Sequence, residues 1–151
     1  MNEEAKRRAL HILEKRDVSR RMLLDKLAEK DIPEPDAEEV ADWLCSLGVI
    51  DDGRFAALVV RHYAGKGYGE RRIREELFRR GIDRTLWDEA LAQLSDTDEA
   101  VFRLFARKMR GEPLTPEAWE RTCAYLLRRG YSREEIRSAA ERYQSETEES
   151  L

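Results

Sequence analysis

Two neighbouring carboxylates, Asp51 and Asp52, are the first residues here that could do chemistry. Such a pair could hold a divalent cation or move a proton. The same two stand at the start of the stretch DGRFAALVV, where a carboxylate satisfies the free N–H groups of a helix N-terminus and complements its dipole. No third oxygen or histidine ligand is predictable nearby, so capping is the expected duty of both. The glycine-spaced segment Gly65, Lys66, Gly67, Tyr68, Gly69 resembles a phosphate-cradling loop at first sight. Such loops follow a strand and place a serine or threonine after the lysine, whereas this one follows a helical pattern and lacks the hydroxyl. A connection between two helices explains its glycines. Tyr68 and Lys66 remain as an aromatic and a cation on a flexible tip, fit to anchor a partner or to stack on a base.

The next segment, ERRIREELFRR at 70–80, is the chief interaction candidate. Ile73 and Leu77 mark a core face, so Arg71, Arg72, Glu75 and Arg79 should point outward. Glu75 lies four residues from Arg71 and Arg79, and Glu76 four from Arg72 and Arg80. Part of the charge therefore closes into exposed pairs worth about 0.3–0.5 kcal/mol each. Two glutamates cannot neutralise every arginine, which leaves Lys66, Tyr68, Arg71, Arg72, Arg74 and Arg79 as the candidate set for binding a partner through acidic protein surface or phosphate. No residue is expected to be catalytic, to hold a metal or to bind a cofactor. The two histidines, His11 and His62, are too few for a triad or a metal cluster, and His62 near a helix end should cap carbonyls or stay solvated. Cys45 and Cys123 lack CxxC spacing and read as reduced thiols. Trp43, Trp87 and Trp119 fall at or beside apolar helical positions, where core packing is their expected role.

What must position these residues is helical. Leucine and alanine supply 33 residues against 17 for valine, isoleucine and threonine, and only 12 of 151 positions are glycine or proline. The length allows one domain or a few small modules. The longest apolar run, residues 55–60, falls far short of the ~20 that span a bilayer, and the first eight residues alternate acid and base, so a cytoplasmic location is expected. The net charge is −4, but residues 29–52 carry nine acids against one base and residues 54–84 nine bases against four acids. A polarised surface follows, able to orient the molecule on a charged partner.

An internal repeat sets the architecture. The segments KLAEKDI, ELFRRGI and YLLRRGY end at Ile32, Ile82 and Tyr131, spaced by 50 and 49 residues. Apolar residues recur eight, nine and twelve positions beyond each anchor (Val40, Ala41, Leu44; Ala90, Leu91, Leu94; Ala139, Ala140, Tyr143), the one-face pattern of a helix. A second helix precedes each turn, and a further helix opens each unit near 4–15, 52–64 and 98–109. Ser19, Thr97 and Thr115 are the predicted N-caps, and Ser132 with Glu135 makes a capping box. Gly81 and Gly130 sit where a left-handed residue ends a helix, and Asp31 takes that place in the first repeat. The fold class predicted is all-α: three tandem three-helix repeats at 1–50, 51–95 and 96–145, in an elongated, curved, solenoid-like arrangement, with 146–151 a disordered tail. The last helices of the repeats, DAEEVADWL, TLWDEALAQL and SREEIRSAAERY, are acidic, which argues against direct reading of DNA sequence.

The runs SLGVIDDGRFA (46–56), GKGYGERRIREELFRRGID (65–83) and AYLLRRGYSREEIRSAAERY (124–143) resemble the RecX family, bacterial regulators of the RecA recombinase. The resemblance covers nearly the whole chain in order. It implies tandem three-helix repeats and a non-enzymatic function: binding RecA, notably its filament on single-stranded DNA, by lodging in the helical groove and restraining ATP hydrolysis, strand exchange and coprotease activity. Some members of the family bind DNA directly; the acidity of this chain points to weak direct binding at most. A monomer is expected. A helical-repeat scaffold for another protein assembly is the alternative reading.

Overall fold

The computed structural model describes residues 1–149, and all regular backbone among them is helical. In chain order run α1 (Glu3–Lys15), α2 (Arg20–Glu29), α3 (Glu34–Ser46), α4 (Asp52–Gly65) and α5 (Glu70–Arg79). A 3-10 turn (Arg84–Leu86) leads into the short α6 (Trp87–Leu91), followed by α7 (Thr97–Met109), α8 (Pro116–Arg128) and α9 (Arg133–Glu149). The all-α expectation holds, with helices in groups of three.

Local chemistry explains most boundaries. Ser19 accepts from the Met22 N–H and Thr115 from the Ala118 N–H, as their cap positions predict. Ser132 and Glu135 close their box in both directions, at 3.1 and 2.8 Å. Thr97 is a correction. It is the first helical residue of α7, and the N-cap is Asp96, in the left-handed region at φ +53° with no side-chain cap bond. α6 is shorter than the apolar spacing implied. Asp83 turns its carboxylate onto the Thr85 N–H and hydroxyl, which starts a tight 3-10 turn, and the helix stops at Leu91, three residues before the expected Leu94. The residues expected to form a tail from 146 onward continue α9 as far as Glu149, because Glu146 pairs with Arg142 and the Thr147 hydroxyl donates to the Tyr143 carbonyl. Residues 150 and 151 lie outside the described residues.

The anchor turns share one closure. Ile32, Ile82 and Tyr131 each donate an N–H to the carbonyl five residues back (Leu27, Leu77, Leu126), and Asp31, Gly81 and Gly130 each donate to the carbonyl three residues back. This is the Schellman motif, and its left-handed residue is Asp31, Gly81 or Gly130 at φ +61°, +68° and +102°.

The described residues form two compact units. One comprises residues 1–59 and 76–90, the other residues 60–75 and 91 onward, so the middle repeat contributes to both. A three-helix module of ~45 residues buries too little apolar surface to stand alone. In the first unit α1, α2 and α3 pack together over Ala5, Ala9, Leu23, Leu27, Val40, Ala41 and Leu44, and the alanines of α1 let the helices approach closely. In the second, α7 packs on α8 and α9 over Val101, Phe105, Met109, Leu126, Ile136 and Ala140. The Phe105 ring lies 5.6 Å from that of Tyr143 and 6.5 Å from that of Trp119. Each large side chain so buried contributes about 1.5–3 kcal/mol.

Within each unit an anchor turn also meets the start of an earlier repeat's middle helix. In the first, the Ser19 hydroxyl donates to the Arg80 carbonyl, and a side chain at Gly81 would strike Arg21 Cγ at 2.4 Å. In the second, Gly69 N–H donates to the Arg129 carbonyl at 2.7 Å and Arg71 N–H to the Gly130 carbonyl at 3.2 Å. Backbone there lies on backbone: a Cβ on Gly69 would sit 2.5 Å from the carbonyl carbon of Gly130. A Cβ on Gly65, at the end of α4, would meet nothing within 4 Å. Gly69→Ala should therefore cost at least about 2 kcal/mol in urea unfolding, while Gly65→Ala should be neutral or slightly stabilising. Equal effects would show that the close approach is not structural.

Candidate functional site

The acidic pair at 51 and 52 serves two different helices. Asp51 Oδ1 accepts from the Arg54 N–H at 3.0 Å, capping α4, and Asp52 Oδ1 accepts from the Arg20 N–H at 2.9 Å, at the start of α2. Both carboxylates are committed to backbone donors, but only Asp51 caps the helix that the capping reading assigned to the pair; Asp52, the first residue of α4, caps α2 instead. Among the described residues no three His, Cys, Asp or Glu side chains gather as a metal site. Cys45 is exposed and Cys123 buried. His62 is exposed, its ring edge-on to Tyr63 at 5.0 Å. Trp87 is in the core, donating its indole N–H to the Ile82 carbonyl at 2.9 Å.

The six candidate binding residues are more heavily engaged than their spacing suggested. Arg71 is exposed, pairs with Glu75 at 2.7 Å and reaches the Leu127 carbonyl at 2.6 Å. Arg74 is half-buried and pairs with Glu70 at 3.3 Å. Arg72 is half-buried, not outward-facing, because its guanidinium lies over the Tyr68 ring at 4.8 Å. Glu76, expected as an exposed partner, is 1% exposed and is held by Arg79 and Arg80. A carboxylate leaves water at high cost unless paired, so these arginines offset a burial penalty as well as decorating a surface. Arg79 thus belongs to the first unit with Glu76, whereas Lys66, Tyr68, Arg71, Arg72 and Arg74 belong to the second. Lys66 is exposed and its carbonyl accepts from Arg129.

Tyr68 is not a flexible tip. Its ring is stacked between Arg72 on one contact and Arg129, 4.2 Å away, on another, and Tyr63 leans on it at 5.8 Å. Arg129 also lies 5.7 Å from the Tyr125 ring, which Lys108 covers at 4.7 Å. The result is a surface ladder of alternating cations and phenols: Lys108, Tyr125, Arg129, Tyr68, Arg72. Arg129 is its centre, since its Nε donates to the Gly67 carbonyl at 3.0 Å and its Nη2 to the Lys66 carbonyl. Spacing along the chain could not find Arg129, because the groups it joins lie about sixty residues earlier. The hint was present in the repeat, where Arg80 and Arg129 occupy corresponding places.

Tyr131 closes the same loop from below, its hydroxyl donating to the Gly67 carbonyl at 2.9 Å. Burial pushes its phenol up from 10.0 to about 12, against the lowering field of Arg129. Chemically, the ladder offers positive charge on flat faces, suited to carboxylate, phosphate or a planar group.

Fold and surface together define a class: a tandem three-helix-repeat protein that carries a cation–aromatic ladder on its second unit. The family models for the first and second three-helix domains of RecX match residues 5–44 and 51–91. Proteins named regulatory protein RecX are similar over most of the chain. That of Shigella boydii serotype 18 is 37% identical over 141 residues, covering 85% of each chain. That of Xanthomonas citri is 42% identical over 135 residues, covering 87% of this chain and 83% of its own. A crystal structure of RecX from Lactobacillus salivarius shares the fold with a TM-score of 0.84 at 24% identity, over 92% of this chain and 94% of its own. A second, titled regulatory protein RecX, gives 0.81 at 26% identity, over 91% and 72%. The chain belongs to the RecX family of regulatory proteins.

Two outcomes follow from the ladder. Arg129→Lys keeps the charge but loses the fork and the flat stacking face, and should lower stability by about 1–2 kcal/mol in urea unfolding. A loss no larger than that of Arg128→Lys would dismiss the fork. Tyr131 has a folded pKa raised above its unfolded one, so its contribution is intact below pH ~10 and lost as pH climbs through 12. Between pH 9.5 and 11.5 the wild type should lose stability on the order of 2 kcal/mol more than Tyr131→Phe. Parallel pH curves would contradict this.

Proposed function

We propose that this protein restrains a RecA recombinase by binding its filament on single-stranded DNA, thereby damping ATP hydrolysis, strand exchange and coprotease activity in the cytoplasm. The observation that carries the proposal is family membership: relatives 33–42% identical over most of their length are named regulatory proteins RecX. The physical reading agrees in kind. Helical repeats present several separate surfaces, and modest contacts from each add through effective concentration, so none has to be strong. Lys66, Tyr68, Arg71, Arg72 and Arg74 of the second unit are the proposed partner-binding residues, with Arg79 of the first unit as a further one, and acidic protein surface or filament-bound phosphate is their complement. A net charge of −4 disfavours strong binding to bare DNA, so the protein component of the filament supplies most of the recognition.

The test uses residues whose side chains do not hold the loop together. Wild type should inhibit RecA-dependent strand exchange and filament ATP hydrolysis, and Lys66→Glu/Arg74→Glu should need about tenfold more protein for half-inhibition, with a flatter dependence on salt. A folded double variant with an unchanged dose response would remove this face from the interface. Wild-type protein that neither binds nor inhibits a RecA filament would overturn the function itself.

A further inference from the structure

A second concentration of positive charge lies on the first repeat, well before the basic helix in sequence. Arg8, His11, Ile12 and Lys15 occupy one face of α1 at helical spacing, and Lys26, Glu29 and Lys30 one face at the end of α2. With Arg16 they line a single cleft of about 480 Å³. Arg8 pairs with Glu4 at 2.8 Å, and His11 faces Glu14 at 3.7 Å. Lys15, Arg16, Lys26 and Lys30 have no ion pair or side-chain hydrogen bond among the described residues. Several carboxylates of the same repeat are engaged elsewhere, Asp36 with Asn2 and Glu38 and Asp42 with Arg20. Glu29 is the one acid in the lining, against the five cations Arg8, Lys15, Arg16, Lys26 and Lys30.

Helix dipoles favour a basic residue in the last turn of α1 and of α2, and Lys15 and Lys26 supply one each. That effect does not require both helices to aim their cations into one concavity, where like charges repel. Four convergent, unpaired cations on a protein with net negative charge form a site complementary to a compact polyanion. Three of the four are lysines, which bind phosphate as point charges, and several cations converging on one concavity match the dense charge of linked phosphates better than the single charge of a carboxylate. Among the described residues no phenylalanine, tyrosine or tryptophan lines the cleft, His11 is its one ring and Ile12 its one apolar residue, so it offers little platform for stacked bases or for a peptide's apolar side chains.

We propose that the cleft between α1 and α2 is a phosphate-binding site, held by Lys15, Arg16, Lys26 and Lys30 and taking a compact run of phosphate groups. These come either from a free polyphosphate compound or from a nucleic-acid backbone gripped without regard to sequence. Because helix C-termini present no free N–H groups, the lysine and arginine side chains carry the whole affinity, unlike a glycine-loop site.

Calorimetric titration of the full chain with sodium tripolyphosphate at low salt provides the test. Binding should be saturable, about tenfold weaker in Lys15→Gln/Lys26→Gln, and unchanged in Arg7→Gln/Arg103→Gln, which removes the same net charge from exposed sites outside the cleft. Competition by a short oligothymidylate identifies the backbone as source; tripolyphosphate binding that the oligonucleotide leaves untouched identifies the free compound. Equal weakening by the two double variants, no tripolyphosphate binding by wild type, or tighter binding of a hexaglutamate peptide than of tripolyphosphate would each overturn the proposal, the last by making the cleft an acidic-peptide site. None of these readouts involves RecA, so the result is independent of the function proposed above.

Discussion

A left-handed turn whose carbonyls receive donors from the start of an earlier helix is the contact on which the stacking of repeats depends. The first donors of a helix have no partner within it. At Ser19 one hydroxyl does two things, accepting from the Met22 N–H and donating to the Arg80 carbonyl. At Gly69 there is no side chain to cap with, and the Arg129 carbonyl accepts from the backbone directly. The two solutions occupy corresponding places in the repeat. Both require the facing turn to be bare, which Gly81 and Gly130 provide, so the glycines serve the inter-repeat fit as much as their own turns.

The repeat itself was legible from the anchors at 32, 82 and 131, because a Schellman turn needs an apolar residue just past a left-handed one, and both leave a visible mark. Caps at Ser19, Thr115 and Ser132 were legible for the same reason: their bonds span only three residues. What escaped was long-range. Gly69 read as part of a flexible linker because its tight neighbour, Gly130, is 61 positions away. Glu76 read as exposed because helical spacing reports its i,i+4 neighbours and not the face against which it is buried. Arg72 misled for a related reason, since the Tyr68 ring that covers it belongs to the loop before the helix.

The charge pattern takes on a different sense once these contacts are known. Arginines of α5 and the α8 turn form the architecture of the 65–69 loop, so the surface proposed for a partner is already organised by cation–aromatic contacts, which keeps its ordering entropy on binding low. By contrast, Lys15, Arg16, Lys26 and Lys30 of the first repeat hold no ion pair among the described residues, and that freedom distinguishes a binding feature from a structural one. Two basic regions of one chain therefore carry different physical meanings despite similar composition.

Asp31 holds the left-handed position that glycine holds in the other two anchor turns, and it lies exposed. Its side chain projects where Gly81 and Gly130 admit a neighbouring helix. The turn at Asp31 therefore cannot make the bare-backbone contact that Gly130 makes with Gly69 and Arg71.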